Sequence, residues 1–155
     1  MKFLAAVLLF SLPSLAASGV ENITGIPRIV DGDTLVIERT RIRLHGIDAP
    51  EIKQTCQRDG IEWPCGQEAS KALGEYVNGA ELRCERLNTD RYGRVVARCF
   101  SLDGSDISEW MVSRGLALAY RRYSRDYVDE EVDAEIAERG LWSGVFVVPW
   151  EWRRQ

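Results

Sequence analysis

Apolar and polar positions alternate in short runs from Gly25 onward, then shift to helical spacing. Alternation with a period of two marks half-buried strands, whereas recurrence every three to four residues marks helices. Three strands are predicted at Ile26–Asp31, Thr34–Glu38 and Arg41–Ile47, followed by a loop from Ala49 to Gly66. A helix over Gln67–Val77 stops at Asn78-Gly79, a pair suited to helix termination. Two more strands, Glu81–Leu87 and Arg94–Ser101, flank the turn-rich tip Asp90-Arg91-Tyr92-Gly93. Asp106 is placed to cap a helix Ile107–Arg114 ending at Gly115, and an acidic helix Tyr127–Arg139 ends at Gly140.

Pairing follows from matching apolar faces. A hairpin around Arg39-Thr40 sets Leu35 opposite Leu44 and Ile37 opposite Ile42. A hairpin centred on Arg91-Tyr92 sets Glu85 opposite Arg98 and Cys84 directly opposite Cys99, a position compatible with a disulfide. Of the three pairings open to four cysteines, the favoured one is therefore Cys84–Cys99 with Cys56–Cys65. A zinc site is disfavoured, since there is no C-x-x-C and a single histidine. Three strands, a helix and two strands is the order of an OB-fold, a five-stranded barrel that binds through the loops joining strands one to two and four to five. The expected fold is thus α+β: a five-stranded OB-fold barrel with about three helices. Its binding loops are Asp31-Gly32-Asp33 and Asp90–Arg94.

The N-terminus has a different pattern. Lys2 precedes an apolar run from Phe3 to Leu12, then Pro13 and the small-residue stretch Ser14-Leu15-Ala16-Ala17-Ser18. This is the layout of a secretory signal, and the run is short of the ~20 residues that span a bilayer. Residues 1–17 are read as a cleaved leader, residues 25–155 as one domain, and the mature protein as periplasmic or extracellular, free of the membrane and monomeric. An oxidising compartment agrees with paired cysteines.

Composition adds one apparent exclusion. The 155 residues are 45% hydrophobic and 28% charged, ordinary for a globular protein, with a net charge of -4. An acidic chain does not coat nucleic acid by bulk charge. Yet its basic residues are three lysines and 17 arginines, and arginine grips phosphate locally through a planar fork of donors. Net charge is blind to such a site.

The candidate chemistry centres on Asp33, Asp48 and Glu51. In the expected hairpin, Asp48 is a diagonal neighbour of Asp33 at roughly 7–8 Å, and Asp-Ala-Pro-Glu can turn Glu51 back toward both. An oxygen-only donor set suits a hard cation, Ca²⁺ or Mg²⁺; the alternative is a group of surface acids in turns. Arg43 and Arg94 could grip a phosphodiester beside such an ion. Strict alternation sets Arg43 on the wrong face for this, so a bulge or strong twist near Gly46 is required.

At this point the residues resemble a known family. Val30-Asp31-Gly32-Asp33-Thr34, Ile42-Arg43-Leu44-His45-Gly46-Ile47-Asp48-Ala49-Pro50-Glu51 and Asp90-Arg91-Tyr92-Gly93-Arg94 are similar, in this order, to the motifs of the staphylococcal nuclease family. The resemblance runs from about Ile26 to Trp142. It implies a nuclease that uses one Ca²⁺ ion to hydrolyse DNA and RNA to 3′-phosphates. It further implies that Asp33 and Asp48 hold metal, that Asp31 is a nearby supporting acid, and that Glu51 lies near the attacking water. Arg43 and Arg94 match the phosphate-gripping arginines, Arg91 and Tyr92 the contacts to a terminal phosphate, and Tyr120 and Tyr123 the nucleotide-stacking tyrosines. Cysteines and an acidic balance depart from the family's best-known member, as does Ala49, where a backbone carbonyl is the implied ligand. A non-catalytic OB-type binding or interaction domain is the alternative; it would favour a depleted carboxylate–arginine set, and here the set is complete.

Other residues have two readings each. His45 is either a catalytic acid or a strand-end polar contact. Trp142, Trp150 and Trp152 either stack bases or cover the barrel's flank. Arg121, Arg122 and Arg125 either bind distal phosphates or pair with the acidic helix that follows. Asn22-Ile23-Thr24 fits a glycosylation acceptor.

Overall fold

The computed structural model describes residues 19–155; the predicted leader lies outside the described residues. Strands β1 (Asn22–Gly25) and β2 (Pro27–Ile29) replace the single expected first strand. They are followed by β3 (Thr34–Ile37), β4 (Thr40–Leu44) and the two-residue β5 (Ile47–Asp48). Next come a small hairpin, β6 (Cys56–Arg58) and β7 (Ile61–Trp63), and helix α1 (Cys65–Val77). Strands β8 (Leu82–Thr89) and β9 (Val95–Phe100) precede α2 (Ile107–Ser113), β10 (Leu118–Ala119) and α3 (Val128–Ile136). A 3₁₀ turn (Gly140–Ser143) and α4 (Pro149–Trp152) end the chain.

The main sheet runs β1-β8-β9-β4-β3-β2, with β4 and β9 parallel and the other neighbours antiparallel. Because β1 and β2 are separated only by Ile26, one bent segment pairs with both edges and leaves a nearly closed six-stranded barrel of OB type. Pairing both edges removes the exposed N–H and C=O rows that make an open sheet edge hazardous.

Two features of the expected pairing are corrected. Leu35 lies opposite Ile42 and Ile37 opposite Thr40, a shift of two residues, because the turn is the tight pair Glu38-Arg39 with Glu38 at φ 54°. A two-residue shift keeps every side chain on its face, so Leu35, Ile37, Ile42 and Leu44 are all buried. The third strand ends at Leu44 instead of Ile47. Gly46, at φ 73°, turns the chain there, and a Cβ on it would sit 2.8 Å from the Tyr127 ring. The break supplies the redirection that Arg43 needed: β5 leaves the sheet to pair with β10.

The β8–β9 register holds Cys84 opposite Cys99 and Glu85 opposite Arg98, with an irregularity between Arg86 and Asn88. Disulfides join Cys84 to Cys99 and Cys56 to Cys65. Asp106 caps α2 by accepting from Ser108 and Glu109 N–H, and Tyr127 Oη donates to its other oxygen at 2.8 Å. The predicted loop Ala49–Gly66 contains the β6–β7 hairpin, turned at Asp59-Gly60, a pair that favours such turns. This hairpin shares a second small core with Leu118 and Leu141, covered by Trp63, Trp142, Phe146, Val148 and Trp150. Trp142 and Trp150 thus cover the flank. Among the described residues no helix is long and apolar enough to cross a membrane.

Candidate active site

The site is built where the Asp31–Asp33 loop meets the turn after β4. Asp31 accepts from the Asp33 N–H at 3.1 Å, tightening the loop. Asp33 accepts from the Ala49 N–H at 3.0 Å, the Thr34 hydroxyl at 2.9 Å and Arg43 Nη1 at 2.8 Å. Arg43 Nη2 donates to Asp48 at 2.9 Å and to the Ile47 carbonyl at 3.2 Å. One guanidinium therefore bridges two carboxylates, with 15% of its side chain exposed. Asp48 is fully buried beneath it.

Glu51 follows one turn later, on a segment held by Gln54. The Gln54 N–H donates to the Glu51 carbonyl at 2.7 Å, and the Gln54 side-chain oxygen accepts from the Glu51 N–H at 3.3 Å. Across the cleft, Arg94 Nε donates to Asp90 at 2.7 Å, and Asp90 also accepts from the Tyr92 and Arg94 N–H groups. The tip loop thereby aims one arginine from its own turn geometry. Asp31, Asp33, Arg43, Glu51, Arg91, Tyr92, Arg94, Tyr120 and Tyr123 line a single cleft of about 910 Å³. Arg91 and Arg94 lie over the Tyr92 ring at 4.9 and 5.6 Å. Tyr120 meets Tyr123 edge-on at 4.9 Å and stacks on Trp150 at 5.2 Å.

The carboxylates of the site are held differently by their surroundings. At Asp33 burial raises the pKa, but Arg43, the Ala49 N–H and the Thr34 hydroxyl outweigh it and hold the carboxyl below its ordinary value. At Asp48 burial prevails, helped by Asp33, and the pKa is raised despite two arginines. Asp31 is pushed up to about 6, first by burial and then by the charge of Asp33. The folded state thus binds a proton at Asp31 more tightly than the unfolded chain does. This contribution to stability is largest at low pH and is lost as pH rises from about 4 to about 6. Asp31→Asn keeps the acceptor for the Asp33 N–H and removes the charge. In chelator, urea unfolding should find it stabilised by ~2 kcal/mol at about pH 7, with the gain vanishing near pH 4. A variant less stable than the parent at neutral pH would contradict this assignment.

The donor set has the chemistry of a divalent-ion site. Its acids offer only oxygen, all four cysteines are in disulfides, and His45 is engaged with Asp126 at 2.9 Å. That chemistry fits a hard cation. Yet among the described residues no three such side chains stand together as a ready cage, because guanidiniums lie between them. One of these was not anticipated from sequence. Arg153, just after α4, donates to Asp48 at 2.8 and 3.1 Å and to Glu51 at 2.7 Å. Nothing local marks it: the contacts span 102 and 105 residues. Gln54 was also missed; it is buried and reaches the Val147 carbonyl at 2.6 Å. Arg121 pairs with Glu131 of the acidic helix at 2.7 Å.

An OB-type barrel presenting arginines and carboxylates in one cleft is a frame for handling phosphodiesters. The family model of the staphylococcal nuclease homologue matches residues 41–144, and the chain belongs to the staphylococcal nuclease family. It is 34% identical over 142 residues to the succinoglycan biosynthesis protein ExoI of Rhizobium meliloti, covering 90% of this chain and 74% of that one. It is 34% identical over 163 residues to an uncharacterized endonuclease of Escherichia coli, covering 99% and 98%. A probable staphylococcal-like nuclease, CAN1, of Oryza sativa is 36% identical over 126 residues, 79% of this chain and 35% of that protein.

Proposed function

We propose that the protein is a metal-dependent nuclease that hydrolyses DNA and RNA to 3′-phosphate products, exported after loss of residues 1–17. The observation that carries this reading is Arg43 set between Asp33 and Asp48 in a cleft also lined by Glu51 and Arg94. Family membership and the endonuclease name of a full-length relative support it. Leaving a 3′-phosphate requires water to attack phosphorus while the bond to the 5′ oxygen breaks. Glu51, partly exposed at the cleft, takes the proton from water. Arg43 donates to the phosphoryl oxygens as their charge grows, and Arg94, oriented by Asp90, offsets charge on the departing oxygen. Asp33 and Asp48 would hold Ca²⁺, with the Ala49 carbonyl as a further oxygen, and the ion supplies Lewis-acid stabilisation of phosphoryl charge. Tyr120 and Tyr123 offer rings on which bases can stack without sequence preference. Asp31 supports the loop that carries Asp33, and Arg91 and Tyr92 are placed for a terminal phosphate.

The purified mature chain should digest DNA and RNA when Ca²⁺ is supplied and stop when a chelator is added, as read on a zymogram. Cutting that persists in chelator would remove the metal from this scheme. Tight nucleic-acid binding without cleavage under any ionic condition would favour the binding-module reading.

A further inference from the structure

The C-terminal segment reaches the site by a continuous set of contacts. Gln57 and Val145 exchange backbone hydrogen bonds at 2.8 and 2.9 Å, Gln54 holds the Val147 carbonyl, and Trp150 stacks on Tyr120. These contacts deliver Arg153 onto two acids of the proposed reaction. Both Asp48 oxygens are taken: one accepts from Arg43 and Arg153, the other from Arg153. Glu51 accepts from Arg153 as well. A calcium ion approaches its oxygens to ~2.3–2.6 Å, so an ion that takes Asp48 must displace a guanidinium. The two arginines are unequal. Arg43 is also tied to Asp33 and the Ile47 carbonyl and is 15% exposed, whereas the Arg153 side chain is 35% exposed near the chain end.

We propose that Arg153 is a tethered counter-cation that competes with a divalent metal ion for Asp48 and Glu51, so that the docked arginine and the bound ion exclude each other. The inference rests on the metal reading above and assigns this chain a control over its own metal affinity. Two positive groups cannot share these oxygens without repulsion, and the anchored tail keeps the guanidinium at a high local concentration. Arg153 thus lowers apparent metal affinity while offsetting the acids' repulsion when docked.

The test is calcium titration calorimetry and thermal melting of the full mature chain, with Arg153→Met and Arg153→Ala. Both variants should bind Ca²⁺ roughly tenfold more tightly, the scale of giving up one partly exposed charge-assisted contact. In chelator both should melt below the parent, and saturating Ca²⁺ should close that gap. Equal or weaker Ca²⁺ binding by the variants, with the parent binding normally, overturns the competition alone. Absence of Ca²⁺ binding in the parent and both variants overturns the metal reading and this inference together.

Discussion

Arg43→Ala is expected to lower turnover at least 100-fold, the scale of losing one preorganised donor to a developing oxyanion. The same change should destabilise the fold, because Arg43 stands between two acids. Removing one partner of a buried ion pair costs ~3–5 kcal/mol, and the residual exposure of Arg43 points to the lower end of that range. Arg43→Lys separates the two effects. It keeps a positive charge near Asp33 and Asp48 but cannot offer a two-pronged fork to both. It should recover most of the stability and little of the turnover. Steady-state kinetics with urea unfolding measure both quantities. Near-parental turnover in Arg43→Ala would rule out the assigned role.

Gly66→Ala is expected to have the second-largest effect, through Glu51. A Cβ at Gly66 would stand 1.7 Å from the Glu51 carbonyl oxygen and 2.7 Å from its carbon. These are backbone atoms, so no rotamer change relieves the clash. The Gly66 N–H also donates to the Gln54 carbonyl at 3.2 Å, and the neighbouring Cys65 is fixed to Cys56. The start of α1 therefore cannot retreat, and the Glu51 segment must move. Overpacking of this kind costs ~1–3 kcal/mol or more, and a shift of ~1 Å in a reacting group can cost ~100-fold in rate. Turnover should fall about as far as in Glu51→Gln, with substrate binding less affected. Full activity in Gly66→Ala would show that the position of Glu51 is not critical.

The tip-loop half of the site was close to readable in the chain. Asp90 to Arg94 is a turn whose acid caps its own backbone and holds its own arginine four residues on. The pairing of Cys84 with Cys99 followed from centring the same hairpin on Arg91-Tyr92. The other half was less accessible. Strict alternation sets Arg43 on the face away from its acids, whereas in the fold Gly46 ends the strand and redirects Asp48 toward it. The sixth strand was missed because Asn22–Gly25 is half exposed and gains its meaning only from the far edge of the sheet. The β6–β7 hairpin was missed for a related reason: its strands are three residues each and pack on a small separate core.

What the sequence determined by itself is local: strand and helix identity, the α2 cap, the turn that aims Arg94, and the kinds of side chain available to grip a phosphate. These depend on periodicity and on contacts a few residues long. The tertiary structure decided which charges share a volume. It put one guanidinium between Asp33 and Asp48, buried Asp48 beneath it, and brought Arg153 onto Asp48 from 105 residues away. Net charge is a sum over the chain, whereas the chemistry depends on the few groups that burial forces together, where low dielectric makes each contact count.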